Sequence, residues 1–200
     1  MPAAYLLRIE LRDLNPVIYR EVLVDPGITL NKLHKVIQAA MGWEDDHLYG
    51  FAKPTGNQRF YRTPREQAFE PRNGDTWDEE ANDASKYKVS DLLLAPKDKL
   101  LYLYDYGDDW EHVITLMSVV QTELALPHLM KAENRCPPED CGGAPGFAHW
   151  SDVWFTPEHP DHDTALDIFG QKEPGTLDLE ALLKAVKKLQ PKKPKQVKVK

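Results

Sequence analysis

Cysteine is scarce in this chain: Cys136 and Cys141 are the only two among 200 residues. Two thiols cannot staple a domain of this length, so a disulfide framework of the secreted kind is excluded and both are expected to be reduced. Long apolar runs are missing as well. None approaches the roughly 18 residues of a membrane span, and the N-terminus lacks the basic-then-apolar pattern of an export signal. These absences predict a cytoplasmic protein with no membrane partner. Positive charge is also short, with 25 Lys and Arg against 32 Asp and Glu. Five of the lysines fall in residues 191–200, and without them 20 basic residues face 32 acidic ones, a body of −12. An acidic body is a poor general surface for nucleic acid, because phosphate neutralisation supplies most non-specific affinity. The basic end reads as a solvated, disordered tail that could touch an anionic partner. The P-loop, the dinucleotide G-x-G-x-x-G, H-E-x-x-H, G-x-S-x-G and the zinc deaminase pattern are all missing, and no internal repeat is present.

What is present suits one soluble domain over residues 1–190, with 42% apolar and 28% charged residues. Residues 3–13 alternate Tyr5, Leu7, Ile9 and Leu11 with polar or lesser positions, the period of a half-buried strand. Asn15-Pro16 turns the chain, and Val17 to Val24 is a second, β-branched strand. Thr29 is placed to cap a helix with Leu30, Leu33, Ile37, Ala40 and Met41 on one face. Asn31, Lys32, Lys35 and Gln38 face away, and Gly42 ends it. Residues 47–53 suggest a third strand. Residues 54–88, rich in proline and charge, read as a loop-rich insertion with a short strand near Arg59–Arg62. Ser90 to Leu94 reads as a helical turn. Lys99–Tyr106 and Trp110–Val120 form a hairpin whose Gly107-Asp108 pair fits a two-residue type II′ turn. Trp150–Phe155 and Thr164–Phe169 read as short helices. Asp178 caps a last helix with Leu179, Leu182, Leu183, Val186 and Leu189 on one face. Strands paired as hairpins, followed by helices, predict an α+β fold: a mainly antiparallel sheet packed with the N-terminal amphipathic helix and the C-terminal helices.

Two segments concentrate functional side chains. Around the hairpin tip lie Asp105, Asp108, Glu111 and His112, with alternation placing Trp110 and His112 on one face and Glu111 on the other. These groups could hold a divalent ion such as Mg²⁺ or Mn²⁺, or form an Asp–His acid–base pair. They also suit an ordinary polar turn, since turns favour Asp and Gly. The second segment is Cys136-Pro137-Pro138-Glu139-Asp140-Cys141-Gly142-Gly143. Cys136 and Cys141 with His159 and His162 could bind Zn²⁺ through two thiolates and two imidazoles. Alternatively the segment is a stiff loop on the core, its prolines fixing extended backbone. In a third reading Glu139 and Asp140 complete the acidic cluster, or Cys141 acts as a nucleophile with His112 or His149 as its base. His47, after two aspartates, is a further contributor to the same site. His34 reads as a structural residue, and no cofactor is required by the sequence.

At these residues the chain resembles the plasmid pRiA4b ORF-3-like family over nearly its full length. The likeness rests on Pro16-Val17-Ile18-Tyr19-Arg20, on Thr29-Leu30 with Leu33-His34, and on Met41-Gly42-Trp43 with His47-Leu48 and Phe51. Its most specific parts are the segment from Tyr104 to His112 and Pro137-Pro138-Glu139-Asp140-Cys141-Gly142-Gly143. Tyr106 stands where the family often has Phe. The resemblance implies an α+β domain associated with plasmids and mobile elements. Some members carry recombinase-like labels, but this chain shows no Arg/His/Tyr set of a tyrosine recombinase.

Two functions follow as expectations. One is a non-catalytic binding module for a protein or small-molecule partner, with Trp43, Trp110 and Trp150 as exposed anchors beside His47. The other is a metal-dependent hydrolase acting on phosphodiesters, with Asp105, Asp108, Glu111, His112, Glu139 and Asp140 around the ion. The first is preferred, because nothing at the site matches a known catalytic spacing. The second requires the hairpin tip and the cysteine segment to meet.

Overall fold

The computed structural model describes residues 1–72 and 80–191. The lysines from 192 onward, and with them most of the expected tail, lie outside the described residues. An eight-stranded sheet organises the fold. Its strands are β1 (Ala3–Leu11), β2 (Ile18–Val24), β3 (Tyr49–Ala52), β4 (Ala68–Glu70), β5 (Asn82–Asp83), β6 (Lys99–Tyr104), β7 (Trp110–Gln121) and β8 (His128–Glu133). They lie in the order β5-β4-β3-β6-β7-β1-β2-β8. Every pairing is antiparallel except β4 with β5. The helices are α1 (Leu30–Met41), α2 (Val89–Leu92), α3 (Gly143–Trp154), α4 (His162–Ile168) and α5 (Leu179–Lys188). The α+β fold with a mainly antiparallel sheet is therefore the observed one.

One face of the sheet carries the main core. Leu7, Ile9, Leu11, Ile18, Val22, Tyr102, Tyr104, Trp110 and Ile114 meet Leu30, Leu33, Ile37, Ala40 and Met41 of α1 there. The reverse face holds a small cluster of Ala52, Phe60, Leu101 and Leu103. A register shift at Leu6/Leu7 against β7 resets the alternation of β1, so Ala4 is buried in place of the expected Tyr5.

Several expectations need correction. The Thr29 hydroxyl makes no cap bond; it donates to Asn31 Oδ1 at 2.5 Å instead. Gln38 is buried, because its amide finds the Tyr102 hydroxyl at 2.9 Å. Residues 54–88 are not a plain loop. Phe60–Arg62 is a 3-10 turn and no strand, and β4 and β5 extend the sheet. The β6–β7 connection is no type II′ turn: Asp105 and Asp109 take the left-handed conformation (φ 57° and 59°), and Gly107 does not. Strand β8 follows directly on Pro127, in a stretch the sequence did not mark as a strand. Helix α3 begins at Gly143, well before Trp150. Asp178 does cap α5, accepting from the Ala181 amide at 3.0 Å, but only Leu182 and Val186 are buried; Leu179, Leu183 and Leu189 are exposed.

Candidate functional site

The hairpin tip and the cysteine segment meet, and the loop after α1 joins them. Gly42, left-handed at φ 89°, ends α1 and turns the chain into Trp43–His47. The Trp43 indole donates to the Pro137 carbonyl at 2.9 Å. The Glu44 amide donates to Glu139 at 2.7 Å. The Tyr104 hydroxyl donates to the other Glu139 oxygen and accepts from the Asp46 amide at 3.1 Å. The Asp108 carboxylate accepts from the Gly142 amide at 3.1 Å. Gly143 sits so close that a Cβ there would overlap the Asp108 carbonyl oxygen. Pro137 and Pro138 lack amide donors, so the first half of the segment is fastened through the Pro137 carbonyl and the Glu139 carboxylate.

His47 stands at the centre of this junction. Its Nδ1 lies 3.6 Å from Asp105 Oδ2 and its Nε2 lies 3.3 Å from Asp140 Oδ1. His47, Asp105 and Asp140 each offer a ligand atom within 4.8 Å of the others, and among the described residues this is the group of three that could hold a metal ion. The two carboxylates face different ring nitrogens. One ion would use one nitrogen, with one oxygen from each carboxylate drawn in beside it.

The rest of the expected acidic set is divided. Asp108 and Glu139 serve as the fasteners just described. Glu111 points to the reverse face, where Arg12 (2.7 Å), Arg59 (3.0 Å) and the Phe60 amide (3.2 Å) satisfy it. His112 lies wholly within the core, edge-on to Trp43 at 5.4 Å, and neither ring nitrogen has a partner. Burial pushes its pKa down to about 3, so it is neutral and unsuited to acid–base exchange with solvent. Neither Glu111 nor His112 belongs to the site.

The zinc set does not assemble. Cys136 and Cys141 are buried, while His162 faces the Val153 carbonyl at 3.1 Å and His159 faces Asp161 at 3.9 Å. Burial pushes both thiols up to about 12, which also removes Cys141 as a ready nucleophile. Trp43 and Trp110 are not exposed anchors; they are 8% and 1% exposed and belong to the core. Of the three expected anchors, Trp150 is the half-buried one.

A cavity of about 550 Å³ opens beside the junction. Arg20, Met41, Trp43, Cys136 and Leu182 are its buried walls, and Glu44, Asp46 and Asp140 lie at its exposed rim. Arg20 escaped notice in the sequence as a site residue. The signal was there: it shares strand parity with Ile18, Val22 and Val24, all in the core. A second network behind His47 was also missed. His34 stacks on Tyr49 at 3.5 Å and bridges the Tyr102 hydroxyl (2.8 Å) and Asp45 (2.5 Å). Both its nitrogens are engaged, and burial pushes its pKa down to about 4 against the pull of Asp45.

The family described as plasmid pRiA4b ORF-3-like protein matches residues 3–182. The chain is similar to the uncharacterized protein y4hQ of Sinorhizobium fredii (strain NBRC 101917 / NGR234). The two are 34% identical over 175 residues, covering 84% of this chain and 81% of that one. It is also similar to a crystal structure of a protein of unknown function, MM3350 from Methanosarcina mazei Go1. That match has a TM-score of 0.74 at 25% identity and covers 89% of this chain and 96% of the other. Among the described residues, no helix is long and apolar enough to cross a membrane.

Proposed function

The chain belongs to the plasmid pRiA4b ORF-3-like family, and on that premise we propose that it is a binding module whose site is the cavity beside the junction. One observation carries this reading. Segments around residues 43–47, 104–108 and 137–142 are fastened to one another by side-chain and backbone bonds, and the cavity lies against the fastening. A volume of about 550 Å³ falls in the range of small-ligand pockets. Its lining joins apolar side chains such as Met41, Trp43 and Leu182 to charged ones such as Arg20 and Arg135, and such a mixed concave site suits capture of a small polar molecule more than a flat protein partner. The test is an NMR screen of small organic fragments against protein labelled at the tryptophan indoles. Fragments that bind should move the Trp43 indole resonance and leave that of Trp154, in α3, in place. A screen in which no fragment moves Trp43 argues against the cavity as the site.

A second reading is favoured by the approach of Asp105 and Asp140 to His47. Two carboxylates and an imidazole suit Mn²⁺ or Zn²⁺, and an ion with open positions could activate water for hydrolysis of a phosphodiester. Calorimetric titration with Mn²⁺ and Zn²⁺ addresses it. Stoichiometric binding that disappears in His47→Ala supports a metal site; heats that are unchanged in that variant remove it.

A further inference from the structure

Arg20 is the fully buried cation in the cavity wall, and its hydrogen bonding is incomplete; the half-buried His47 beside it also has an unbonded Nε2. Its side chain is 0% exposed. Nε donates to the Ala40 carbonyl at 2.7 Å, and Nη1 donates to the carbonyls of Tyr19 (2.8 Å) and Glu133 (2.9 Å). These bonds hold the guanidinium rigidly but supply no counter-charge. Nη2 has no hydrogen-bond partner, and among the described residues no carboxylate lies within ion-pair distance. The acidic group that acts on it is the Cys136 thiol, which burial keeps protonated. A buried cation without an anion carries a large desolvation cost, and a guanidinium is the side chain best fitted to take a carboxylate.

The walls around it define the rest of the ligand. Met41, Trp43, Leu177 and Leu182 offer apolar surface next to the cation. The rim is net acidic: Glu44, Asp46, Asp140 and Asp178 are exposed there against Lys172, with Arg135 half-buried among them. Such a rim repels a dianion more strongly than a monoanion. Resting on the reading of the cavity as the binding site, we propose that it takes a small organic monocarboxylate, with the carboxylate against Arg20 and an apolar body along Trp43 and Leu182.

The experiment compares three probes by calorimetry at fixed ionic strength: 3-phenylpropionate, its uncharged counterpart 3-phenylpropan-1-ol, and inorganic phosphate. The acid should bind saturably, at least about tenfold more tightly than the alcohol, the factor expected of one hydrogen bond to a charged group. Phosphate should bind more weakly than the acid. Ala181→Trp, at an exposed position lining the cavity, should abolish binding while leaving the circular dichroism unchanged. Arg20→Lys, which keeps the charge but loses the fork, should weaken the acid about tenfold and leave the alcohol unchanged. Equal binding of acid and alcohol overturns the assignment and leaves the cavity reading standing. Tighter binding of phosphate overturns the choice of a monocarboxylate. No saturable binding of any probe overturns both the assignment and the cavity reading. If Arg20→Lys fails to fold, the acid-to-alcohol ratio on the unmodified chain and its loss in Ala181→Trp decide the matter.

Discussion

Lowering the pH should unfold this protein well before its carboxylates are protonated, because two histidines are buried uncharged. His112 and His34 have pKa values pushed down to about 3 and about 4, both by desolvation. In the unfolded chain each returns to about 6.5. The unfolded state therefore binds more protons below that value. The stability these groups contribute is complete above about pH 6.5 and is lost as the pH falls toward 4 and then 3. Each proton difference is worth about 1.4 kcal/mol per pH unit, so the pair removes roughly 5 kcal/mol between about pH 7 and pH 4.5. That is comparable with the whole stability of a small domain. The shifted carboxylates do not interfere: Asp13, Asp83 and Asp98 are moved below their usual range, so their contribution is lost only at lower pH. The assay is urea unfolding followed by tryptophan fluorescence at half-unit pH steps. His112→Leu separates the two groups. With both ring nitrogens unpartnered, the variant should lie within about 1 kcal/mol of the parent at neutral pH and show about half the acid slope. A fall of less than about 1 kcal/mol across the range, or a full slope in His112→Leu, would refute the reasoning.

Further outcomes follow from the same geometry. Glu139→Ala removes the acceptor for Tyr104 and the Glu44 amide and should cost about 2–3 kcal/mol in urea unfolding; a loss below about 0.5 kcal/mol would show that the fastening is solvated away. Glu111→Ala removes the carboxylate that serves Arg12 and the Phe60 amide, while Arg59 keeps its fork on Asp13, and should cost about 1–2 kcal/mol. It should leave binding of 3-phenylpropionate unchanged, which calorimetry checks directly. Gly143→Ala combines a left-handed φ of 68° with overlap on Asp108, so it should lower stability by at least about 2 kcal/mol. Cys136 and Cys141 should react with a thiol-specific disulfide reagent at pH 8 at under about a tenth of the rate seen in denaturant; rapid native labelling would mean that the loop opens readily.

The long periodic elements could be read from sequence because their pattern is local. The β-branched run of β2, the Leu and Ala spacing of α1 and the Asp178 cap of α5 each declare themselves within a dozen residues. The failures share a physical cause: their partners lie far away in the chain. Glu111 resembled a ligand because its neutralising partners, Arg12 and Arg59, are 99 and 52 residues distant. Trp43 and Trp110 resembled anchors because nothing near them in sequence reveals that they pack together with centroids 6.1 Å apart. Gln38 reads as an outward residue until Tyr102 is placed opposite it. At the junction, strand parity put His112 and Trp110 on one face, as observed, but parity cannot say which face is sealed. That the hairpin tip and the cysteine segment adjoin depends on a turn with two left-handed aspartates, which invites no prediction from a Gly-Asp pair.

Strand β1 precedes both of its sheet neighbours in the chain, yet it lies between β2 and β7. Its second neighbour ends at Gln121, so during synthesis the middle of the sheet cannot close until the chain has been made through that strand. The first hairpin must wait with one edge unpaired, a state prone to mispairing with other chains. Completion of the cavity comes later still, since its walls include Cys136 and Leu182. Binding competence therefore requires the chain through α5: a product that stops short of it can hold native strand pairs and still have nowhere for a ligand to sit.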